Sequence, residues 1–329
     1  MRKKVDWESQ IGRRLRFRDL HVFFNVARLG SMTKAASTLG VSAPTVSEVI
    51  ADLEHSVGVT LFERGPRGVE PTIYGRALLK RGLVAFDELR QGIRDIEFLS
   101  DPTVGELRIG TAESILGAIP QVFQQFSERH PGIVLDVSAA FSQSMMEGLE
   151  DRSLDLVVAR DVRDFAANDL GIDFGGLDDR FRVEGLFDDE LVVVAGPHSR
   201  WARRRKIELA ELVDEPWILS GPRSWNYRAV AEAFAACGLG MPKIGIRTFS
   251  LQLRINLLES GQFVATLPKS ALHLHERRYS LKALPVRLPV RPWPVAMVTL
   301  RQRAQSPVVT LFIEHLRAFS KSLAGRRVS

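Results

Sequence analysis

The sequence predicts a mostly α-helical winged helix-turn-helix at the N-terminus, a long linker helix, and a larger α/β domain behind it. Three observations predict this. Apolar residues recur at helical spacing in three short segments between Asp19 and Val57, and a Gly- and Pro-rich hairpin follows them. One amphipathic stripe then runs from Thr72 to about Leu99. Beyond Gly105, short apolar runs of strand type alternate with helical ones, the pattern of α/β architecture. A length of 329 residues fits two or three domains at roughly 100–200 residues each.

Asp19 can cap a first helix whose apolar stripe is Leu20, Phe23, Phe24 and Ala27. Gly30 stops it. Ser31 is the natural N-cap of a second, short helix that buries Ala35, Ala36 and Leu39. After the break Gly40-Val41-Ser42, Ser42 caps a third helix that tolerates Pro44 in its first turn. Val46, Val49, Ile50, Leu53 and Val57 form its apolar face. Two helices joined by a short Gly-containing turn make a helix-turn-helix unit, and small Ala35 and Ala36 let them cross closely. A three-helix knot in an enzyme would show the same periodicity. The next segment favours the first reading. Val59-Thr60-Leu61-Phe62 and Val69-Glu70-Pro71-Thr72 read as strands around a turn carrying Arg64 and Arg67, a basic wing suited to a phosphate backbone.

Thr72 can cap the long helix. Its apolar stripe is Leu79, Leu83, Phe86, Ile93 and Ile96, with Arg76, Lys80, Asp87, Arg90, Arg94 and Glu97 opposite. Such a stripe needs a partner. A second copy of the chain is the economical one, and packing on its own domain is the alternative. Asp101-Pro102 ends the helix.

Composition narrows the function. With 45% hydrophobic and 26% charged residues the chain can bury real cores, which excludes disorder over most of its length. No window approaches ~18 consecutive apolar residues, so neither a membrane helix nor a membrane partner is expected. Residues 1–18 lack the apolar core of a secretory signal. The single cysteine, Cys237, cannot form an internal disulfide or a four-cysteine zinc site, and it reads as a small packed thiol in an Ala-rich helix. A cytoplasmic setting follows. Of the +6 net charge, +5 lies in residues 1–18, where seven basic residues face two acids. Such an arm is drawn to polyanions, or is a solvated disordered tail. No Walker A loop, strand-linked GxGxxG or GxSxG elbow is present, so no enzyme, catalytic residue or cofactor is expected. No metal is expected either: His273 and His275, with Glu276 as a third ligand, would share a face only on a strand.

Leu20, Phe23, Val26, Ala27, Gly30-Ser31, Ala35-Ala36, Leu39, Val41-Ser42, Pro44, Val46-Ser47, Ile50, Leu53-Glu54, Gly58, Leu61-Phe62, Arg64, Thr72 and Gly75 together resemble the DNA-binding domain of LysR-type transcriptional regulators. Residues 71–99 are similar to the sugar-responsive branch that includes the galactose-binding-protein regulator. The resemblance implies that the third helix enters the major groove of double-stranded DNA. Ser42, Ala43, Pro44, Thr45, Ser47 and Glu48 would then face bases or phosphates, Ser31, Thr33 and Lys34 the backbone, and Arg64 and Arg67 the backbone from the wing. Two positions depart from the family. Ala43 replaces a frequent Gln and can offer only apolar contact, for example to a thymine methyl. Glu48 sits where relatives are often basic. It can accept from a cytosine amino group or, the simpler expectation, pair with a neighbouring arginine.

The resemblance divides the chain into an arm (1–18), a winged helix-turn-helix (19–75), a dimerising linker helix (72–99) and an effector-binding domain (103–329). It implies a homodimer or homotetramer, with RNA polymerase as a further partner. The effector domain would hold two Rossmann-like subdomains similar to periplasmic binding proteins, 103–187 with 270–329 and 188–269. Crossovers are expected near Leu186–Asp188 and Leu267–Ser270. The motifs Leu154-Asp155-Leu156, Pro216-Trp217-Ile218 and Ala265-Thr266-Leu267-Pro268 mark it. At Ser260-Gly261-Gln262-Phe263 the family has a second glycine where Phe263 stands, and a ring there can reshape the backbone near the hinge.

Ligands in such sheets bind beyond the carboxyl ends of strands, often at helix N-termini. That rule selects Thr111, Glu113, Ser114, Ser142, Gln143, Arg160, Arg223, Ser224, Trp225, Thr248 and Ser250. Helix capping or turn chemistry explains any one of them alone, whereas their convergence at strand ends points to a cleft. Glu113 can accept two hydroxyls and Trp225 can stack on a sugar face. Arg160 or Arg223 would instead suit a carboxylate. A sugar or sugar acid is therefore the expected effector, an organic or aromatic acid the alternative. The rival functions are an α/β enzyme, a solute-binding protein, or an architectural DNA-binding protein without an effector.

Overall fold

A computed structural model describes residues 15–65, 68–116, 119–140, 142–160, 180–222, 224–272, 280–290 and 293–326. The basic arm to residue 14, Arg67, Arg223, His273, His275 and Glu276 lie outside them. The chain forms two compact units that divide between Ile93 and Arg94.

In the first unit, helices α1 (Phe17–Leu29), α2 (Met32–Leu39) and α3 (Ala43–Val57) precede strands β1 (Phe62–Gly65) and β2 (Gly68–Pro71). Ser31 and Ser42 cap α2 and α3, each accepting from the backbone N–H three residues on, at 3.3 and 3.2 Å. Asp19 does not cap α1. The helix starts earlier, at Phe17 after Arg16, and Asp19 sits in its first turn, where its charge still opposes the helix dipole. Gly40 closes α2 at φ +66, a conformation that favours glycine, and so permits the tight turn into α3. Phe23, Val26, Ala35, Ala36, Val46, Ile50, Leu53 and Leu61 form the core. The wing pairs antiparallel with its tip at Gly65↔Gly68. Glu54 fixes it to α3, its Oε1 accepting from Leu61 N (2.7 Å) and Phe62 N (3.1 Å).

Helix α4 (Ile73–Ser100) follows, capped by Thr72, whose Oγ1 accepts from Gly75 N at 3.0 Å. The expected stripe splits. Leu79 and Phe86 pack on the unit's own core, with Phe86 edge-on to Phe24. Phe24 leaves no room beside α4 for anything but Gly82, since a Cβ there would meet its Cζ at 2.4 Å. Leu89, Ile93, Ile96 and Leu99 are exposed, Ile96 by 65%.

The second unit contains two five-stranded sheets. The first has the order β4 (Gly132–Ala139), β3 (Val104–Thr111), β5 (Leu156–Arg160), β12 (Trp293–Leu300), β6 (Phe181–Asp189). The second has the order β11 (Lys282–Ala283), β7 (Leu191–Ala195), β10 (Val264–Pro268), β8 (Trp217–Leu219), β9 (Ile244–Arg247). Both are mixed: β3 pairs parallel with β4 and β5, and β8 with β9 and β10, while β12, β6, β7 and β11 run antiparallel to their neighbours. Helices α5 (Glu113–Leu116), α6 (Pro120–Arg129), α7 (Ser142–Glu150) and α10 (Pro307–Arg326) accompany the first sheet, α8 (Trp225–Ala236) and α9 (Leu251–Glu259) the second. Pro120 has no N–H to continue a helix from α5 and instead opens α6.

The first crossover follows Asp189, close to its expected place. The second does not occur near Leu267–Ser270. Strand β11 adds to the edge of β7, and Leu272, Leu281, Leu284 and Leu288 bury in the second sheet's cores. The chain returns only at β12, where Trp293 pairs with Asp189. Phe263 lies ahead of β10, away from that return, and packs on the second sheet's core rather than reshaping a hinge. Cys237 is exposed at the end of α8 rather than packed.

Candidate functional sites

Helices α2 and α3 present one polar edge. Thr33, Lys34, Ser42, Pro44 and Glu48 are exposed along it, and Ser31, Ala43, Thr45 and Ser47 are half-buried. The pattern follows from the core beneath: with Val46 and Ile50 turned inward, Glu48 must turn outward. Thr45 Oγ1 lies 2.8 Å from Ser42 Oγ, and Ser47 Oγ donates to Met32 Sδ at 3.4 Å. Both hydroxyls are thus engaged locally. Glu48 makes no ion pair among the described residues, contrary to the simpler expectation.

In the second unit, the carboxyl ends of strands from both sheets meet helix N-termini across a cleft that is the candidate site, joined by Glu113 to Leu251 and by Arg160 to Trp225. Glu113 opens α5 from the first sheet and reaches the second: its Oε2 accepts from Leu251 N, the first N–H of α9, at 2.9 Å. Ser250 caps the same helix by accepting from Leu253 N at 3.2 Å. Beneath lies buried Arg254, whose Nη2 donates to Ser220 Oγ (2.8 Å) and Thr248 O (3.2 Å) and Nη1 to Thr266 O (3.3 Å). Burial lowers the Arg254 pKa to about 10, and the charge of Glu113 opposes the shift.

Arg160, at the end of β5, is the second fixed cation. Its Nη2 donates to Asp189 Oδ2 at 2.7 Å, and its guanidinium lies 5.3 Å from the ring centroid of Trp225 on the opposite subdomain. Burial pushes the Arg160 pKa down and Asp189 opposes this. Asp189 also accepts from Ser270, through the backbone N at 3.2 Å and through Oγ. One carboxylate at the crossover therefore joins Arg160 of the first sheet to Ser270 of the second.

Residues 17–76 match the family model described as a bacterial regulatory helix-turn-helix protein of the lysR family, and residues 100–321 match the LysR substrate binding domain. The chain belongs to the LysR family of transcriptional regulators. The RuBisCO operon transcriptional regulator of Allochromatium vinosum is 31% identical over 221 residues, covering 67% of this chain and 69% of that protein. The HTH-type transcriptional regulator GbpR of Azospirillum brasilense is 26% identical over 318 residues, 95% of this chain and 89% of GbpR. Full-length CbnR complexed with its target DNA shares the fold, with a TM-score of 0.62 and 21% identity over 92% of this chain and 99% of that one. Like its relatives, this LysR-type chain is a DNA-binding transcription regulator with an effector-binding domain, not an enzyme.

Within this LysR fold, the structure brings Glu113, Arg160, Trp225, Thr248 and Ser250 to the cleft. Ser224 lies there as the cap of α8, accepting from Tyr227 N at 3.4 Å. Thr111 is withdrawn from it: fully buried, its Oγ1 donates to Val158 O at 2.9 Å within the sheet. Ser114 is half-buried in α5, with no hydrogen bond to the second subdomain among the described residues. Ser142 and Gln143 open α7, and their side chains, like that of Arg64, lie outside the described set. Sequence reasoning missed Arg254, Asn226 and Asp189.

Proposed function

We propose that this LysR-type regulator responds to a small polar effector, a sugar or sugar acid, bound in the cleft between its two C-terminal subdomains. The observation that carries this reading is the pair of links across the cleft, Glu113 to the α9 N-terminus and Arg160 to Trp225. Both join groups that a bound ligand would share, so ligand binding and subdomain closure draw on the same contacts. A ligand that prefers one closure shifts the population toward it.

DNA binding is assigned to the α2–α3 edge, with Ser42 to Glu48 on α3 facing the major groove and the Arg64–Arg67 wing on the backbone. The exposed apolar half of α4, Ile93, Ile96 and Leu99, pairs with a second copy. RNA polymerase is the further partner of a promoter-bound dimer or tetramer.

Operator binding by the full chain, measured with and without aldoses and aldonic acids, tests the reading. An active ligand at ~100 times its dissociation constant adds roughly 2.7 kcal/mol of stability, which thermal unfolding detects. Glu113→Ala is expected to abolish the ligand-induced change in operator affinity while leaving basal DNA binding in place. An unchanged response removes Glu113 from the site.

A further inference from the structure

We propose that the cleft's ligand is a small carboxylic acid, held by its carboxylate against Arg160 and Asn226 at the start of α8. This rests on the effector-cleft reading above and narrows its ligand class.

Arg160 is 5% exposed, and its Nη2 is satisfied by Asp189. Its Nε and Nη1 are buried with no hydrogen-bond partner among the described residues. A buried cationic donor without an acceptor is costly, and such an orphan calls for an oxygen from elsewhere. Asn226 is 2% exposed; its Oδ1 accepts from Ser224 Oγ at 2.7 Å, and its Nδ2 lacks a partner among the described residues. Trp225, the residue before Asn226 in the first turn of α8, lies over the Arg160 guanidinium, which sets that guanidinium against the start of α8. That first turn carries no acidic residue, and the helix dipole adds a positive pole there.

The nearby carboxylate does not meet the need. Asp189 already takes Arg160 Nη2, Ser270 N and Ser270 Oγ. What remains on offer is donors. A sugar hydroxyl brings a proton of its own to such a place, whereas a carboxylate only accepts.

The cleft's other positive pole is filled from within the chain. Leu251 N donates to Glu113, and Glu113 is also the charge opposing the lowered pKa of Arg254. A second carboxylate on the ligand would meet Glu113. The ligand is therefore a monoacid that turns a donor, such as a hydroxyl, toward Glu113.

The test uses acetate as the smallest carboxylate and acetamide as its uncharged isostere. Thermal unfolding of the full chain is followed at constant ionic strength, with chloride replacing acetate. The Tm is expected to rise with acetate by about 3 °C at ten times its Kd, and acetamide should do nothing. Arg160→Gln should lose the acetate shift. Because that variant leaves Asp189 uncompensated, a second variant is needed. Asn226→Asp places a carboxylate in the first turn of α8, next to the residue that covers the Arg160 guanidinium. It should raise the Tm of the free chain and abolish the acetate response. Equal shifts with acetate and acetamide, an acetate shift surviving in Asn226→Asp, or no shift in the wild-type chain overturns the proposal. The two readings fail separately. D-galactose moving both Tm and operator affinity would sink the acid alone. The acetate pattern above, with operator affinity unmoved by D-gluconate, would sink the regulatory reading alone.

Discussion

Asp155 lies in the run Leu154-Asp155-Leu156 and is buried at the start of β5. It accepts from Arg108 through the backbone N (3.0 Å), Nε (3.0 Å) and Nη2 (2.7 Å), and Arg303 Nη2 lies 2.9 Å away. Burial pushes its carboxyl pKa up, but the hydrogen bonds and charge of Arg108, with Arg303, outweigh that and hold it below the ordinary aspartate range. A depressed carboxylate stabilises the fold above its unfolded pKa, and the gain is lost as pH falls through the folded value. Asp155→Asn is expected to cost about 3–5 kcal/mol near neutral pH, because it strands buried arginines. It should also flatten the loss of stability below about pH 4. Urea midpoints between pH 3 and 7 check both, and an acid limb as steep as wild type contradicts the assignment. At this scale the sequence was partly legible. Glu113, Arg160 and Trp225 follow from the strand-end rule. Arg254 and Asn226 left a signal that went unused: each occupies a helical stripe otherwise apolar, Arg254 between Leu251 and Leu258, Asn226 ahead of Ala229 and Val230. Asp189 left none, since in Asp188-Asp189-Glu190 only the bend of the crossover decides which acid turns inward.

Helix α4 shows why one periodic stripe can serve two masters. Leu79 and Phe86 are consumed by the N-terminal core, and Ile93, Ile96 and Leu99 are left outside. Periodicity records that a face is apolar, not what covers it. Ile96→Glu should therefore dissociate dimers in sedimentation velocity and weaken operator binding with little loss of Tm. Leu79→Ala should do the reverse, costing about 1–2 kcal/mol at a half-buried site. Gly82 poses a contest between two effects. Alanine gains about 1 kcal/mol of helix propensity. Its Cβ, however, would meet Phe24 Cζ at 2.4 Å. Displacing a packed ring costs about 1–3 kcal/mol, so Gly82→Ala should destabilise the chain in urea unfolding. The strand least legible from sequence was β6, where Phe181-Arg182-Val183-Glu184 alternates apolar with polar residues, unlike the continuous apolar run of β5.

Across the molecule, the charge is as unevenly placed as the folds are. Residues 1–18 hold +5 of the +6 net charge, and Phe17 and Arg18 already lie in α1, so the arm is shorter than expected and ends before Phe17. Removing residues 1–14, ahead of the α1 N-cap Arg16, should weaken operator binding and flatten its dependence on salt, because fewer counterions are released. Equal slopes for full-length and shortened chains, by fluorescence anisotropy between 50 and 200 mM salt, would deny the arm a DNA role. The two-domain plan was legible as a whole because each change of apolar period marks a change of architecture. The second crossover was not, because Leu281, Leu284 and Leu288 would suit either sheet.

Helix α4 runs unbroken for 28 residues, with no proline to kink it. At about 1.5 Å per residue it is a rod roughly 42 Å long. A tilt of ~5° at one end sweeps the other through about 4 Å, close to the ~3.4 Å between successive base pairs. In a rod of this length a small turn at one end becomes, at the other, a displacement on the scale of one step along a double helix.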